Sequence, residues 1–97
     1  RRSQKTHAQE AWNYRMKTIR YYAPLRVMLQ KESEETDANS VRDVLTYIKT
    51  RYGKDALKAA ESALIVINDV SIGLFDGKKT LLKDGDVIGF LPLCGGG

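Results

Sequence analysis

Five consecutive apolar residues, Val87-Ile88-Gly89-Phe90-Leu91, constrain this chain more than any other stretch. A strand with one wet face alternates apolar and polar side chains; this run does not. It predicts a strand in the middle of a sheet, covered on both sides. Its limits are sharp. Lys83-Asp84-Gly85-Asp86 before it reads as a turn, and Pro92 after it cannot donate to a ladder. Leu93 and Cys94 follow, then Gly95, Gly96 and Gly97. Glycine loses more backbone entropy on ordering than any other residue, so such a tail is expected to stay mobile. Lacking Cβ atoms, it is also narrow. It lacks the serines of many flexible linkers and abuts a strand directly. We read it as a device that presents a free α-carboxylate at a distance from a compact body.

The body supplies partners for that strand. Lys17 to Tyr22 alternates, with Ile19 and Tyr21 expected to point inward. Pro24 suits the start of a helix on which Leu25, Met28 and Leu29 share a face. Lys31 to Asn39 is polar, so any strand there should be short or irregular. Ser40 is a good N-cap and Asp43 stands at N3. Val41, Val44, Leu45, Ile48 and Tyr52 recur at helical spacing, and Gly53 is placed to end the helix. A weaker helical stretch runs from Asp55 to Ser62. Ala63 to Ile67 reads as a strand, Asn68-Asp69 as a turn and Val70 to Leu74 as the return strand. Phe75 to Lys79 reads as a loop. Strand, helices, then strands imply one α+β domain, which fits 97 residues.

The net charge of +4 is unevenly placed. Residues 1–15 hold Arg1, Arg2, Lys5 and Arg15 against Glu10, which leaves the rest of the chain at +1. A nearly neutral body argues against nucleic-acid binding. Residues 1–15 read as a flexible basic extension or an expression remnant. Thr6 and Gln9 have capping-box spacing, and the alternative is a partner-binding arm anchored by Trp12. No apolar run approaches the ~20 residues that span a bilayer, so no membrane association is expected. With no signal-peptide pattern and one cysteine, the expected compartment is the reducing cytosol.

His7 is the only histidine and Cys94 the only cysteine. They cannot build a Ser-His-Asp or Cys-His constellation in the body, nor a zinc cluster. No phosphate-cradling glycine pattern precedes a helix. The chain is thus expected not to be an enzyme on its own, and to hold neither metal nor bound cofactor. The terminal carboxylate of Gly97 is the remaining candidate for chemistry.

The Lys83–Asp86 turn, the strand with Phe90, Pro92 and the final Gly96-Gly97 together resemble the MoaD/ThiS sulfur carriers, the family of the small subunit of molybdopterin synthase. Tyr21-Tyr22-Ala23-Pro24-Leu25-Arg26 resembles the molybdopterin-synthase branch, where an aromatic strand end leads into an Ala-x-Leu-Arg helix. Asp69 departs from the family's usual Asn-Gly turn, and residues 1–15 do not resemble the family. Met16 is a natural family start, so the domain is expected to span residues 16–97. The resemblance implies a ubiquitin-like β-grasp: a mixed sheet with the first and last strands parallel in its centre and a helix crossing it. It implies that an E1-like enzyme uses ATP to adenylate the carboxylate of Gly97. A sulfurtransferase or cysteine desulfurase then supplies the sulfur of a thiocarboxylate. It further implies that Gly95 and Gly96 enter a channel of the synthase large subunit, with Phe90, Leu91, Pro92 and Leu93 as the partner interface, in which Leu91 and Leu93 are the exposed rim and Phe90 is partly or wholly core. The final acceptor would be the precursor of the molybdenum or tungsten cofactor. Alternatives are sulfur delivery for thiazole and a ubiquitin-like modifier joined to lysines through Gly97.

Cys94 stands where the family commonly has Ala, Ser or Thr. It reads as a small filler, with a mixed disulfide to a partner as the sharper alternative, which would need a lowered thiol pKa. Cys94→Ser should therefore retain sulfur loading, scored by intact mass of the folded protein. Loss of loading would make the thiol chemically active.

Overall fold

The first strand meets the last one side by side. The computed structural model describes residues 16–93. In it β1 (Lys17–Tyr21) pairs in parallel with β5 (Val87–Leu91), in the register Thr18 to Val87 through Tyr21 to Phe90. β2 (Ser33–Thr36) pairs antiparallel on the outer side of β1. β3 (Leu64–Ile67) pairs antiparallel with β5 and carries β4 (Val70–Ser71) beyond it. The order is β2-β1-β5-β3-β4, so β1 and β5 are interior strands. This is the mixed sheet expected above.

Three helices lie between the strands in sequence: α1 (Leu25–Leu29), α2 (Val41–Tyr52) and α3 (Lys54–Ser62). The caps of α2 are those its sequence calls for. Ser40 Oγ accepts the Asp43 N–H at 3.1 Å, and Gly53, at φ 102°, donates its N–H to Lys49 O at 2.9 Å. Val41, Val44, Leu45 and Ile48 are buried against Ile19, Tyr21, Ile65, Ile67, Ile88 and Phe90 of the sheet. Burying each large side chain contributes roughly 1.5–3 kcal/mol, so this layer dominates the stability. Ala56 and Ala60 of α3 complete it. Among the described residues no helix is long and apolar enough to cross a membrane.

Four details differ from expectation. β5 has a helical layer on one face only; its other face is closed by neighbouring side chains over Gly89. The return strand is two residues, because Ser71 Oγ accepts the Gly73 N–H at 3.1 Å and turns the chain into a 3₁₀ turn over Ile72–Leu74. α1 buries Leu25, but Met28 is 46% exposed, since the helix ends after five residues at Gln30 in the left-handed region. Phe90 belongs to the core: it has no exposed surface, and its ring stacks on Tyr21 at 6.2 Å between centroids.

β2 is as short as its polar sequence implies, and it is fastened by charge rather than by apolar area. Glu34 sits on its inward side, paired with Ile19. The carboxylate accepts three phenol O–H groups: Tyr21 at 2.6 Å and Tyr52 at 2.7 Å on Oε2, and Tyr47 at 2.7 Å on Oε1. Lys31 Nζ lies 3.6 Å away. Burial favours the neutral acid, yet the three phenol donors outweigh it and hold Glu34 below its ordinary pKa. Burial, and then the bond to this anion, push Tyr21 and Tyr47 upward.

A carboxylate depressed in the folded state stabilises above its unfolded pKa, about 4.3, and loses that contribution as pH falls through the lower folded value. Glu34→Gln should cost about 1–3 kcal/mol at pH 7, because the anion is gone and the amide keeps only one acceptor oxygen for three phenol donors. The gap between the two proteins should narrow in melts below about pH 4. An equal gap at pH 7 and pH 3 would show that the ionised form carries nothing.

Candidate partner-docking face and tail exit

Parallel pairing with β1 sets where β5 ends. Leu91 leaves the sheet beside Leu64, and the Tyr22 N–H donates to Phe90 O at 3.3 Å. Pro92 and Leu93 are exposed just beyond. The turn at the strand's other end is pinned. Asn68 Oδ1 accepts the Val87 N–H at 3.0 Å, its Nδ2 donates to Asp86 Oδ1 at 3.0 Å, and Asp86 Oδ2 accepts the Lys83 N–H at 2.7 Å. Gly85 at φ 85° makes the turn possible, and Asn68 and Asp69 both adopt positive φ in the β3–β4 turn. The last strand is therefore held at both flanks and at its start.

The sheet face away from the helices is the candidate surface. Register and alternation place Arg20, Gly89 and Val66 in one row, with Leu91 and Leu64 in the row nearer the tail. A Cβ on Gly89 would stand 3.2 Å from both Leu91 Cδ1 and Val66 Cγ2, and 3.7 Å from Tyr22 Cε2. Those three side chains close over the strand where Gly89 has none. Leu64 and Leu93 are exposed, while Val66 is buried and Leu91 half-buried. Two guanidiniums stand around Tyr22. Arg20 donates to its hydroxyl at 3.2 Å, and Arg26 lies 5.6 Å from the ring centroid while donating to Tyr21 O at 3.2 Å. The result is an apolar centre with a basic edge at the tail exit.

Of the expected interface, Leu91, Pro92 and Leu93 lie at this exit. Phe90 is corrected to core, because alternation sends Ile88 and Phe90 to the helix side. Tyr22, Leu64, Val66 and the Arg20–Arg26 pair were missed. Their signal was the apolar character of both Ala63–Ile67 and Val87–Leu91 at every position, with no second helical layer to cover the far side. Cys94, Gly95, Gly96 and Gly97 lie outside the described residues, as do residues 1–15 with Thr6, His7, Gln9 and Trp12. The described residues contain no histidine or cysteine, and no group of three or more metal-ligating side chains forms among them.

A five-stranded mixed sheet with central parallel β1 and β5, crossed by α2, defines a ubiquitin-like β-grasp protein. The ThiS family pattern matches residues 19–97, and the chain belongs to the ThiS family, as its resemblance to the MoaD/ThiS sulfur carriers implied. Small archaeal modifier protein 1 from Methanosarcina acetivorans is 30% identical, with a TM-score of 0.72 over 84% of this chain and 96% of that one. The complex of subunits 1 and 2 of molybdopterin-converting factor from Helicobacter pylori contains a chain 30% identical, with a TM-score of 0.60 over 84% of this chain and 99% of that one. Urm1 from Trypanosoma brucei, at 18% identity and a TM-score of 0.66 over 88% and 98%, shares the fold. No curated protein matches the chain.

Leu64→Glu places a charge on the open face without touching the core. Its melting should stay within about 0.5 kcal/mol of the parent, as exposed substitutions usually do. Binding to a protein partner, measured by calorimetry, should weaken clearly. Unchanged affinity would remove this face from the interface.

Proposed function

We propose that this chain is a sulfur carrier for molybdopterin-type cofactor synthesis, with Gly97 as the carrying residue. The observation that carries the reading is the join between a fixed strand and the tail. β5 is locked on both sides and at its start, runs straight into Pro92-Leu93, and ends beside an uncovered apolar face with a basic edge. A family match that continues through residue 97 supports the same reading. Such a body can dock while its tail reaches into another protein's site.

A carboxylate resists attack by sulfur because it is anionic and has a poor leaving group. The E1-like enzyme overcomes this with ATP: a Gly97 carboxylate oxygen attacks the α-phosphorus and pyrophosphate leaves. A persulfide from a sulfurtransferase or cysteine desulfurase attacks the acyl carbon, and AMP leaves. A second thiol of the donor then cleaves the acyl disulfide, leaving a thiocarboxylate on the carrier and a disulfide on the donor. The synthase large subunit supplies the acid–base chemistry, and the carrier supplies the sulfur. The setting is the cytosol, and the carrier itself binds neither metal nor cofactor.

Two features support the molybdopterin branch over thiazole synthesis: the Tyr21–Arg26 segment leading into α1, and the 30% identity to molybdopterin-converting factor. The second reading is a protein modifier joined to lysines through Gly97. It is favoured by the equal identity to small archaeal modifier protein 1.

Purified protein incubated with the adenylating enzyme, ATP and a sulfur donor should gain one sulfur in place of one oxygen at Gly97, read by intact mass. Lysine isopeptides on other proteins, with no thiocarboxylate, would establish the modifier instead. Gly96→Val keeps the length and the carboxylate but widens the tail and forbids positive φ. It should block adenylation while melting stays the same. Normal ATP-dependent loading of this variant would remove the channel requirement.

A further inference from the structure

The opposite end of the sheet from the tail carries a second apolar surface. Val70, Phe75 and Leu81 are exposed there, and with Ile67 they line a groove of about 320 Å³. Lys83 and Asp86 form its near rim. Contiguous exposed apolar area on a small domain usually marks a contact surface. This groove lies at the start of β5, whereas the proposed docking face gathers at its end.

The rim is also where the preceding chain enters. Met16 O accepts the Gly85 N–H at 3.0 Å, and Gly85 lies between Lys83 and Asp86. Fifteen residues precede Met16, including the only tryptophan of the chain, Trp12. From β1 to the β3–β4 edge is two to three inter-strand steps, about 10–14 Å at ~4.8 Å each. Measured to its Cα, Tyr14, two residues before Met16, reaches at most about 7 Å along extended chain, so its backbone stops short of the groove. Four residues before Met16, Trp12 has an extended backbone reach of about 13–14 Å, enough to span that distance. A buried indole covers about 150–250 Å² and keeps its N–H at an edge where polar groups stand.

We propose that the groove formed by Ile67, Val70, Phe75 and Leu81 is an intramolecular docking site for Trp12, so that residues 1–15 fold back over the far end of the domain. This assigns the extension a role that its unfamiliar sequence hides. It also divides the surface: the groove is covered by the chain itself, and the open sheet face remains for other proteins. The inference does not depend on the chemistry of Gly97.

Because Trp12 is the only tryptophan, its fluorescence in the full chain reads the site directly. Emission should be shifted to the blue, and acrylamide quenching should be several-fold weaker than for free tryptophan at low micromolar protein. Leu81 is 74% exposed, so Leu81→Lys should leave far-UV circular dichroism and melting of the body intact. In that variant quenching should rise several-fold. Trp12→Ala should move the methyl resonances of Val70 and Leu81 and few others. Three results would overturn the proposal: free-tryptophan quenching in the parent, protection of Trp12 that Leu81→Lys leaves unchanged, or protection lost on dilution. The last would make a second copy the occupant of the groove.

Discussion

The parallel pairing of β1 with β5 is the constraint on which the rest of this molecule depends. Two parallel neighbours cannot be joined by a hairpin, so everything between Tyr21 and Val87 has to carry the chain across and back. The intervening chain supplies the helices that bury Ile19, Tyr21, Ile88 and Phe90, and β3, which closes the other side of β5. Parallel direction also decides the functional geometry. Tyr22 and Leu91 finish at the same end, so the Arg20–Tyr22–Arg26 cluster and the tail exit stand together.

The edge of this arrangement is secured differently from its centre. β2 offers almost no apolar surface, and its charged exposed residues discourage pairing with a further strand. Its anchor is the Glu34 carboxylate, which ties β1 and both Tyr47 and Tyr52 of α2 to one residue. A half-buried anion is costly alone but tolerable with three short donors. The same contacts select the register of β2, because a slip by one residue would send Glu34 to solvent and leave the phenols without it.

Much of this was legible in the chain because it depends on local rules. Period 2 marked Lys17–Tyr21, period 3.6 marked Val41–Tyr52, and Ser40, Asp43, Gly53 and Gly85 hold the positions their chemistry favours. What failed was non-local. The burial of Glu34 depends on tyrosines 13 and 18 residues away, which a polar segment does not announce. Phe90 and Leu91 look alike in sequence, and only the pleat, set by pairing with Tyr21 and Leu64, separates core from surface. The short return strand reflects Ser71 bonding to its own backbone, a local competition that the β-branched residues around it conceal.

The position of β5 also bears on how the chain is made. It is the central strand of the five, yet it comes last among the described elements, and its pairing with β1 closes a loop of more than sixty residues. Contacts of such separation slow folding, since the chain entropy is lost before the contact forms. During synthesis, β1 and β3 must wait with bare edges and their apolar side chains uncovered until β5 emerges. A chain interrupted before Val87 would thus be left with unpaired strands, a state prone to aggregation and open to proteases. The interior position of the last strand thus makes a finished fold conditional on a finished chain.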